Sequence, residues 1–313
     1  MINQANVSLL GTKYNSFSTA FISLLLGIFI LSFAAIFTRI SENELGPVAT
    51  TFNRCYIAAI VLFMWDGIQT KVDNSSKPNE VIKLKDWGIF LLSSFLGTST
   101  LLLWALSLTQ TNVANSNLLH NLTPIFATLC GWLFLGQKFD YKFLLGMMLA
   151  IIGVATISFE DLKEPVDSLL GDFLALLSAI FYALNYLVRE HLRSKFSTTT
   201  ILLWPCFFSV CSTFFVTLTT ENRLFPTSWQ TWSAVICLAI FCQVIGQGLL
   251  IHNLKRFSSG FVTLFMLVEP LLTALLAWAI FAEQLTPLNW LAFFLVLTGI
   301  YLAKISKGSE KIA

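Results

Sequence analysis

Apolar runs recur along the whole chain, divided by short polar breaks. A bilayer core of about 30 Å takes about 20 helical residues at roughly 1.5 Å rise each. Ten segments approach that length, near 20–38, 47–65, 88–109, 112–135, 142–159, 171–189, 199–218, 231–252, 259–281 and 287–303. Only residues 110–112 divide the third run from the fourth, so nine spans is the alternative count. The fourth run departs from a lipid-facing pattern. Its Asn117, His120, Asn121 and Pro124 fall at i, i+3, i+4 and i+7, one face of a helix. Lipid gives amides and an imidazole no partners, so that face must look into protein or a watery cavity. Pro124 also removes a backbone donor and loosens the preceding turn. The ninth run repeats the arrangement, with Glu269-Pro270 in place of Thr123-Pro124. Pro124 and Pro270 are therefore candidate helix breaks or hinges.

The two runs belong to a longer repeat. A displacement of 146 residues brings Pro124 onto Pro270, Trp132 onto Trp278 and Gly153 onto Gly299, with Leu118, Leu129, Leu145 and Leu149 also meeting leucines. Leucines match by chance in apolar sequence, so the proline, tryptophan and glycine pairs carry the case. Five spans per copy is an odd number, which turns the second copy upside down. The predicted fold is an all-α membrane protein of ten transmembrane helices, built as two inverted five-helix repeats. Its parts are a cytoplasmic tail over 1–19, a first repeat over 20–160, an outer linker over 161–170, a second repeat over 171–304 and a cytoplasmic tail over 305–313.

Charge orients this plan. Of 19 Lys and Arg, only Arg39, Lys163 and Arg223 face outside when both termini are cytoplasmic, and Arg54 is left in the membrane. All others, Arg189 included, fall inside, as cytoplasmic loops favour Lys and Arg. Nine spans or a flipped start would spoil the alternation. Trp65, Trp87, Trp132 and Trp229, near span ends, read as interfacial residues. The largest loop, 66–86, is polar and cytoplasmic. The start of the chain lacks a small-residue cleavage site and does not read as a secretory signal.

Composition agrees with the pattern. The chain has 313 residues, 56% hydrophobic and 12% charged, with a mean hydropathy of +0.75. Soluble domains carry about twice that charge. A net charge of +2 without a basic run gives no case for nucleic acid. All six cysteines fall in apolar runs, and read as buried small residues rather than disulfides or zinc ligands. Three histidines without clustered acids predict no metal, and no cofactor motif is present. The stretch from Gly131 to Lys138 mimics a phosphate loop but lacks Gly-Lys-Ser/Thr and ends a span. Sequons at Asn6, Asn74 and Asn121 lie on the cytoplasmic side or in the membrane, so none predicts a glycan. Paired catalytic groups are missing too, and the expectation is that the protein is not an enzyme.

Five motifs in order then resemble a known family. They are Phe52-Asn53-Arg54; Trp104-Ala105-Leu106 with its short turn; Thr123-Pro124-Ile125-Phe126-Ala127; Glu269-Pro270-Leu271-Leu272-Thr273; and Trp278 with Ala282-Glu283. Together they resemble the paired EamA-type units of the drug/metabolite transporter superfamily, over about residues 20–304. One departure is Gly136-Gln137, where the family usually has Gly-Glu. The resemblance implies that the fourth and ninth helices cross at the centre. It implies further that the first, third, sixth and eighth complete a solute cavity and that the fifth and tenth stay peripheral. The implied activity is alternating-access transport of a small organic metabolite, such as an amino acid, often outward across a bacterial plasma membrane. Transport of a nucleotide-sugar or cationic drug, or no transport at all, are the alternatives.

Ionisable groups inside a membrane cost about 2.5–3.5 kcal/mol each on insertion scales, so each is a functional hypothesis. Arg54 and His120 lie about 12 Å deep from outside and Glu269 about 15 Å deep from inside, converging near the midplane. Arg54 is a candidate for a substrate carboxylate or phosphate, and Glu269 or His120 for a proton or substrate amine. The structural alternative pairs Arg54 with Glu269 or with backbone carbonyls. Ser178, Tyr182, Asn185 and Tyr186 form another mixed face in the sixth span, ending at Arg189, which reads as the cytoplasmic edge. Gln243 and Gln247 in the eighth span and Trp104 in the third, with Asn117 and Asn121, complete the candidate solute contacts; interhelical hydrogen bonding is the competing role for each. The expected partners are the bilayer, a small solute and, for a coupled carrier, protons. Oligomeric state is not legible.

Overall fold

The computed structural model describes residues 19–72, 80–108, 110–111, 113–160, 169–281 and 285–306. Most of the predicted linker, the two tails and Glu283 lie outside these residues. Helices make up all the regular structure among those described. We number them α1 (Thr19–Ser41), α2 (Pro47–Val72), α3 (Leu84–Leu108), α4a (Val113–His120), α4b (Thr123–Leu135), α5 (Tyr141–Glu160), α6 (Leu169–Arg193), α7 (Thr198–Thr220), α8 (Trp229–Asn253), α9a (Ser259–Phe265), α9b (Val268–Phe281) and α10 (Pro287–Lys304). Among the described residues nine helices are long and apolar enough to cross a membrane, and α5 carries a shorter apolar stretch, Tyr141–Thr156.

The third and fourth runs are separate helices. Gln110 and Thr111 both donate backbone N–H to Ser107 O, at 2.9 Å each, and close α3. The hydroxyls of Ser107 and Ser116 bond across the turn. The loop expected over 66–86 is shorter than predicted, because α2 runs on to Val72 and α4's neighbour α3 begins at Leu84. Nothing in 66–72 breaks a helix: glycine at 67 costs about 1 kcal/mol, which the continuing hydrogen bonds outweigh.

Trp65, Trp132 and Trp229 are exposed, and the half-buried Trp87 packs edge-on against Trp204 with centroids 4.3 Å apart. One expectation from residue type needs correcting. Cys55, Cys206 and Cys242 are buried, whereas Cys211 is exposed and Cys130 and Cys237 are half-buried. An apolar run in a membrane protein has a lipid face as well as a core face, and cysteine is accepted on both.

Acids seal helix starts at both ends of the bundle. Glu221, just after α7, accepts from the N–H groups of Val48 and Ala49 at 2.8 and 3.1 Å and so caps α2. Glu80, between α2 and α3, accepts from Ser197 N–H and Thr200 Oγ1 at 2.6 and 2.7 Å and caps α7. Each acid complements the positive end of a helix dipole. Glu44 does the same for α8, accepting from Ser228 N–H at 3.2 Å. The Thr227 hydroxyl chiefly, then the Ser228 hydroxyl and the backbone N–H groups of both, holds its carboxyl well below the usual range.

Helices α5 and α10 pack backbone to backbone. A Cβ on Gly146 would sit 2.3 Å from Gly299 O, and one on Gly299 would sit 2.4 Å from Gly146 O. Farther along, a Cβ on Gly153 would meet Val296 Cγ2 at 2.7 Å and Ala292 O at 2.9 Å. Numbers rise on one helix as they fall on the other, so the pair is antiparallel. Only residues without side chains allow helices this close.

Candidate functional site

Four helices lose regularity in or near their central stretches. In α4, Pro124 has no N–H for His120 O, and the Thr123 hydroxyl donates to that carbonyl instead, at 2.6 Å. The helix therefore stops at His120 and restarts at Thr123. In α9 the same problem falls on Pro270 and Met266 O, and Glu269 N–H supplies the bond at 2.8 Å. Helix α1 breaks at residues 32–33 without proline or glycine. There Ser32 Oγ donates to Phe29 O at 2.7 Å, and Thr273 of α9b reaches Ser32 O at 3.4 Å. Helix α8 widens into a π-helix over Leu238–Gly246. Its end is marked by Gln247 N–H donating to Cys242 O, five residues back. Such bulges are frequent at functional sites.

Around these irregularities the predicted residues meet in a chain. The Trp104 and His120 rings lie 6.2 Å apart, and His120 stacks on Tyr182 at 5.4 Å. Tyr182 meets Tyr186 edge-on at 5.1 Å. His120 Nδ1 bonds to Ser178 Oγ at 2.8 Å. Tyr186, fully buried, donates its hydroxyl to Gln247 Oε1 at 3.2 Å. Arg189 Nη1 donates to the same oxygen at 2.9 Å, with its guanidinium 5.7 Å from the Tyr186 ring centre. One helical turn back on α8, Gln243 accepts from Arg54 Nε at 2.9 Å and directs its Nε2 to Cys206 Sγ at 3.5 Å. The two glutamines thus hold one arginine each.

Arg54 and Glu269 do not form an ion pair. Glu269 lies within electrostatic reach of Arg54, Tyr182 and Tyr186. Among the described residues, its carboxylate has no hydrogen-bond partner and no carboxylate lies within 4 Å of either guanidinium. Asn117 and Asn121 are half-buried, and their side chains make no hydrogen bond with described residues. Asn185 is tied to α3, where Ser93 Oγ donates to its Oδ1 at 2.8 Å.

Arg189 is the main correction. It lies one turn before the end of α6, yet it is 8% exposed and belongs to the cluster. The signal was present, because Arg189 continues the face of Ser178, Tyr182 and Tyr186. The charge rule for loops outweighed it, and the structure favours the face. Its neighbour Glu190 is also buried. It accepts from Gln137 Nε2 at 2.9 and 3.0 Å and from Ser259 N–H at 2.8 Å, joining α4b, α6 and the start of α9a. This explains the departure at Gln137: a glutamate there would face Glu190, whereas an amide donates to it.

Comparison with known proteins places the chain. The pattern described as EamA-like transporter family fits residues 18–159 and again 169–305. The chain belongs to the EamA-like transporter family. It is thus a multi-pass transporter of the plasma membrane. A Bacillus subtilis (strain 168) relative, described as the uncharacterized transporter YetK, is 24% identical over 301 residues, spanning 92% of this chain and 87% of the relative. An Escherichia coli K12 protein described as a probable amino-acid metabolite efflux pump is 24% identical over 56% of this chain and 62% of its own length. Bovine solute carrier family 35 member B1 is 25% identical over 60% and 62%. A solved crystal structure superposes with a TM-score of 0.78 at 15% identity, covering 92% of this chain and 97% of that one, so the two share a fold.

Proposed function

We propose that this EamA-type protein is a secondary transporter of small organic metabolites, amino acids first among them, and that it works as an exporter by alternating access. The observation that carries the reading is the imbalance of charge in the cluster. Arg54 and Arg189 contribute two cations held by neutral glutamines, against the single acid Glu269. A buried charge without its counter-charge is costly, and a solute bearing a carboxylate relieves that cost. Trp104, His120, Tyr182 and Tyr186 supply an aromatic wall for the solute body. Glu269 is the candidate for the solute amine or a coupled proton, since His120 is engaged by Ser178.

The motion we infer is rocking of two inverted five-helix repeats, over 20–160 and 171–304, about a two-fold axis in the membrane plane. Three features support it. The contact of Gly146 with Gly299 maps onto that of Gly153 with Ala292 when the 146-residue displacement exchanges the copies. The caps on α2 and α7 are exchanged in the same sense, each supplied from the connection that follows the other helix. The breaks in α4 and α9 also correspond. Full-length protein reconstituted in vesicles and preloaded with unlabelled L-amino acids should accumulate labelled amino acid by exchange. Arg54→Gln should reduce that exchange at least tenfold. Exchange of no amino acid or related organic solute by the wild-type protein would overturn the reading.

A further inference from the structure

We propose that a basic niche between the start of α3 and the α6–α7 connection seats the headgroup of an anionic phospholipid, with Lys83, Lys85 and Lys195 facing its phosphate. The niche is separate from the solute site, and the inference does not depend on what the protein transports. It is a cavity of about 360 Å3 lined by Val81, the three lysines, the buried Phe196 and two acids, Glu80 and Asp86. Both acids are already engaged. Glu80 accepts from Ser197 N–H and from the Thr200 hydroxyl. Asp86 accepts from Lys83 N–H at 3.0 Å and faces Lys195 Nζ at 3.8 Å. The ammonium groups of Lys83 and Lys85 have no acidic partner among the described residues. The niche therefore holds cations in excess of the acids that serve them.

The corresponding place in the other repeat shows what this one lacks. In element order the α6–α7 connection matches the α1–α2 connection, and the start of α3 matches the start of α8. There Glu44, just after α1, lays its carboxylate on Thr227 and Ser228 at the start of α8. Lys195, just after α6, stands where Glu44 would, and Lys83 and Lys85 replace Ser228 and Gln230. One niche is filled by an anion from the chain itself; the other is open and basic, and suits an anion from outside. A lipid fits better than a free phosphate because the lysines alternate with bare aliphatic residues: Val81 is 71% and Leu84 90% exposed. Such a rim offers contact to acyl chains while the ammonium groups face the phosphate. The lysine and arginine pattern assigns this end to the cytoplasm, where the leaflet carries anionic lipids and basic pockets between helices take their headgroups.

The test is thermal unfolding of the full chain in a neutral detergent at constant ionic strength. The probes, at equal concentration, are phosphatidylglycerol, phosphatidylcholine and glycerol 3-phosphate. Phosphatidylglycerol should raise the melting temperature. Phosphatidylcholine, whose choline cancels the phosphate charge, and glycerol 3-phosphate, which has no acyl chains, should not. Lys83→Gln with Lys85→Gln should need at least tenfold more phosphatidylglycerol for the half-maximal shift. Its lipid-free melting temperature should stay unchanged, since both side chains are exposed. Leu84→Ser keeps the lysines and should weaken the lipid shift as well. Lys138→Gln with Lys142→Gln, at exposed lysines outside the niche, should keep the full shift. The proposal is overturned if the Lys83/Lys85 variant keeps the full shift, if the Lys138/Lys142 variant loses as much, or if phosphatidylglycerol does no more than phosphatidylcholine. An equal shift from glycerol 3-phosphate overturns the lipid assignment and makes a soluble phosphate ester the ligand. Amino-acid exchange in vesicles tests the transporter reading separately, and none of these outcomes decides it.

Discussion

At the scale of the residue, the site shows how much depends on which polar atom is left over. Glu190 is buried in a membrane helix and is stable there because three donor contacts reach it, two from Gln137 and one from Ser259. Gln137→Glu would remove a donor and set a second carboxylate against the first. Hydrogen bonds to charged groups are worth about 1.5–3 kcal/mol, and an unpaired buried charge adds to the loss. We expect Gln137→Glu to destabilise the protein by about 2–4 kcal/mol in denaturant unfolding in detergent, on those same magnitudes. Glu190→Gln added to it should recover most of the loss, because the amide at 190 can donate to the new acid. Additive losses in the double variant would show that the two side chains do not depend on each other.

At the scale of the element, proline and glycine do opposite jobs. The prolines of α4b and α9b cut helices where the site lies, and Thr123 Oγ1 and Glu269 N–H take up the carbonyls of His120 and Met266. Gly146 and Gly299 instead let α5 and α10 touch along their backbones. A methyl group at either one meets a carbonyl oxygen, which no rotamer change can move. Overpacking of this kind costs about 1–3 kcal/mol. We expect Gly146→Ala and Gly299→Ala each to lower stability by about that amount in the same unfolding assay, with the double variant losing less than the sum, since one separation of the helices relieves both clashes. Gly88, with nothing within 4 Å of its Cβ position, is the control: Gly88→Ala should be neutral or stabilising. A loss at Gly88 equal to those at Gly146 and Gly299 would show that the backbone contact does not set the cost.

At the scale of the whole molecule, the broad features were legible and the partners were not. Apolar length and the Pro124–Pro270 correspondence were enough to find the helices and the breaks in α4 and α9, because both come from local chain chemistry. The break in α1 at residues 32–33 was invisible, since Ser32-Phe33 carries no breaker and α9b packs against it. For Arg54 the sequence offered a substrate anion, Glu269 or backbone carbonyls, and missed Gln243, which accepts from its Nε on the widened turns of α8. What remains to test at this scale is whether α5 crosses the membrane, as its apolar stretch is short. Its antiparallel contact with α10 runs from Gly146–Ala303 to Gly153–Ala292, most of the 18-residue length of α10. A helix that follows a spanning partner so far must cross with it, and its 20 residues reach about 30 Å. Single cysteines at three exposed sites, in a variant with the native six replaced, decide the matter. Asn222→Cys should react with an impermeant thiol reagent on intact cells, and Lys138→Cys and Ser194→Cys only after the membrane is opened. If α5 stays on one side, one crossing disappears between positions 138 and 194, and those two cysteines will label from opposite faces. The repeats would then not be inverted, and the two-fold relation between the α5 and α10 glycines would have no mechanical meaning.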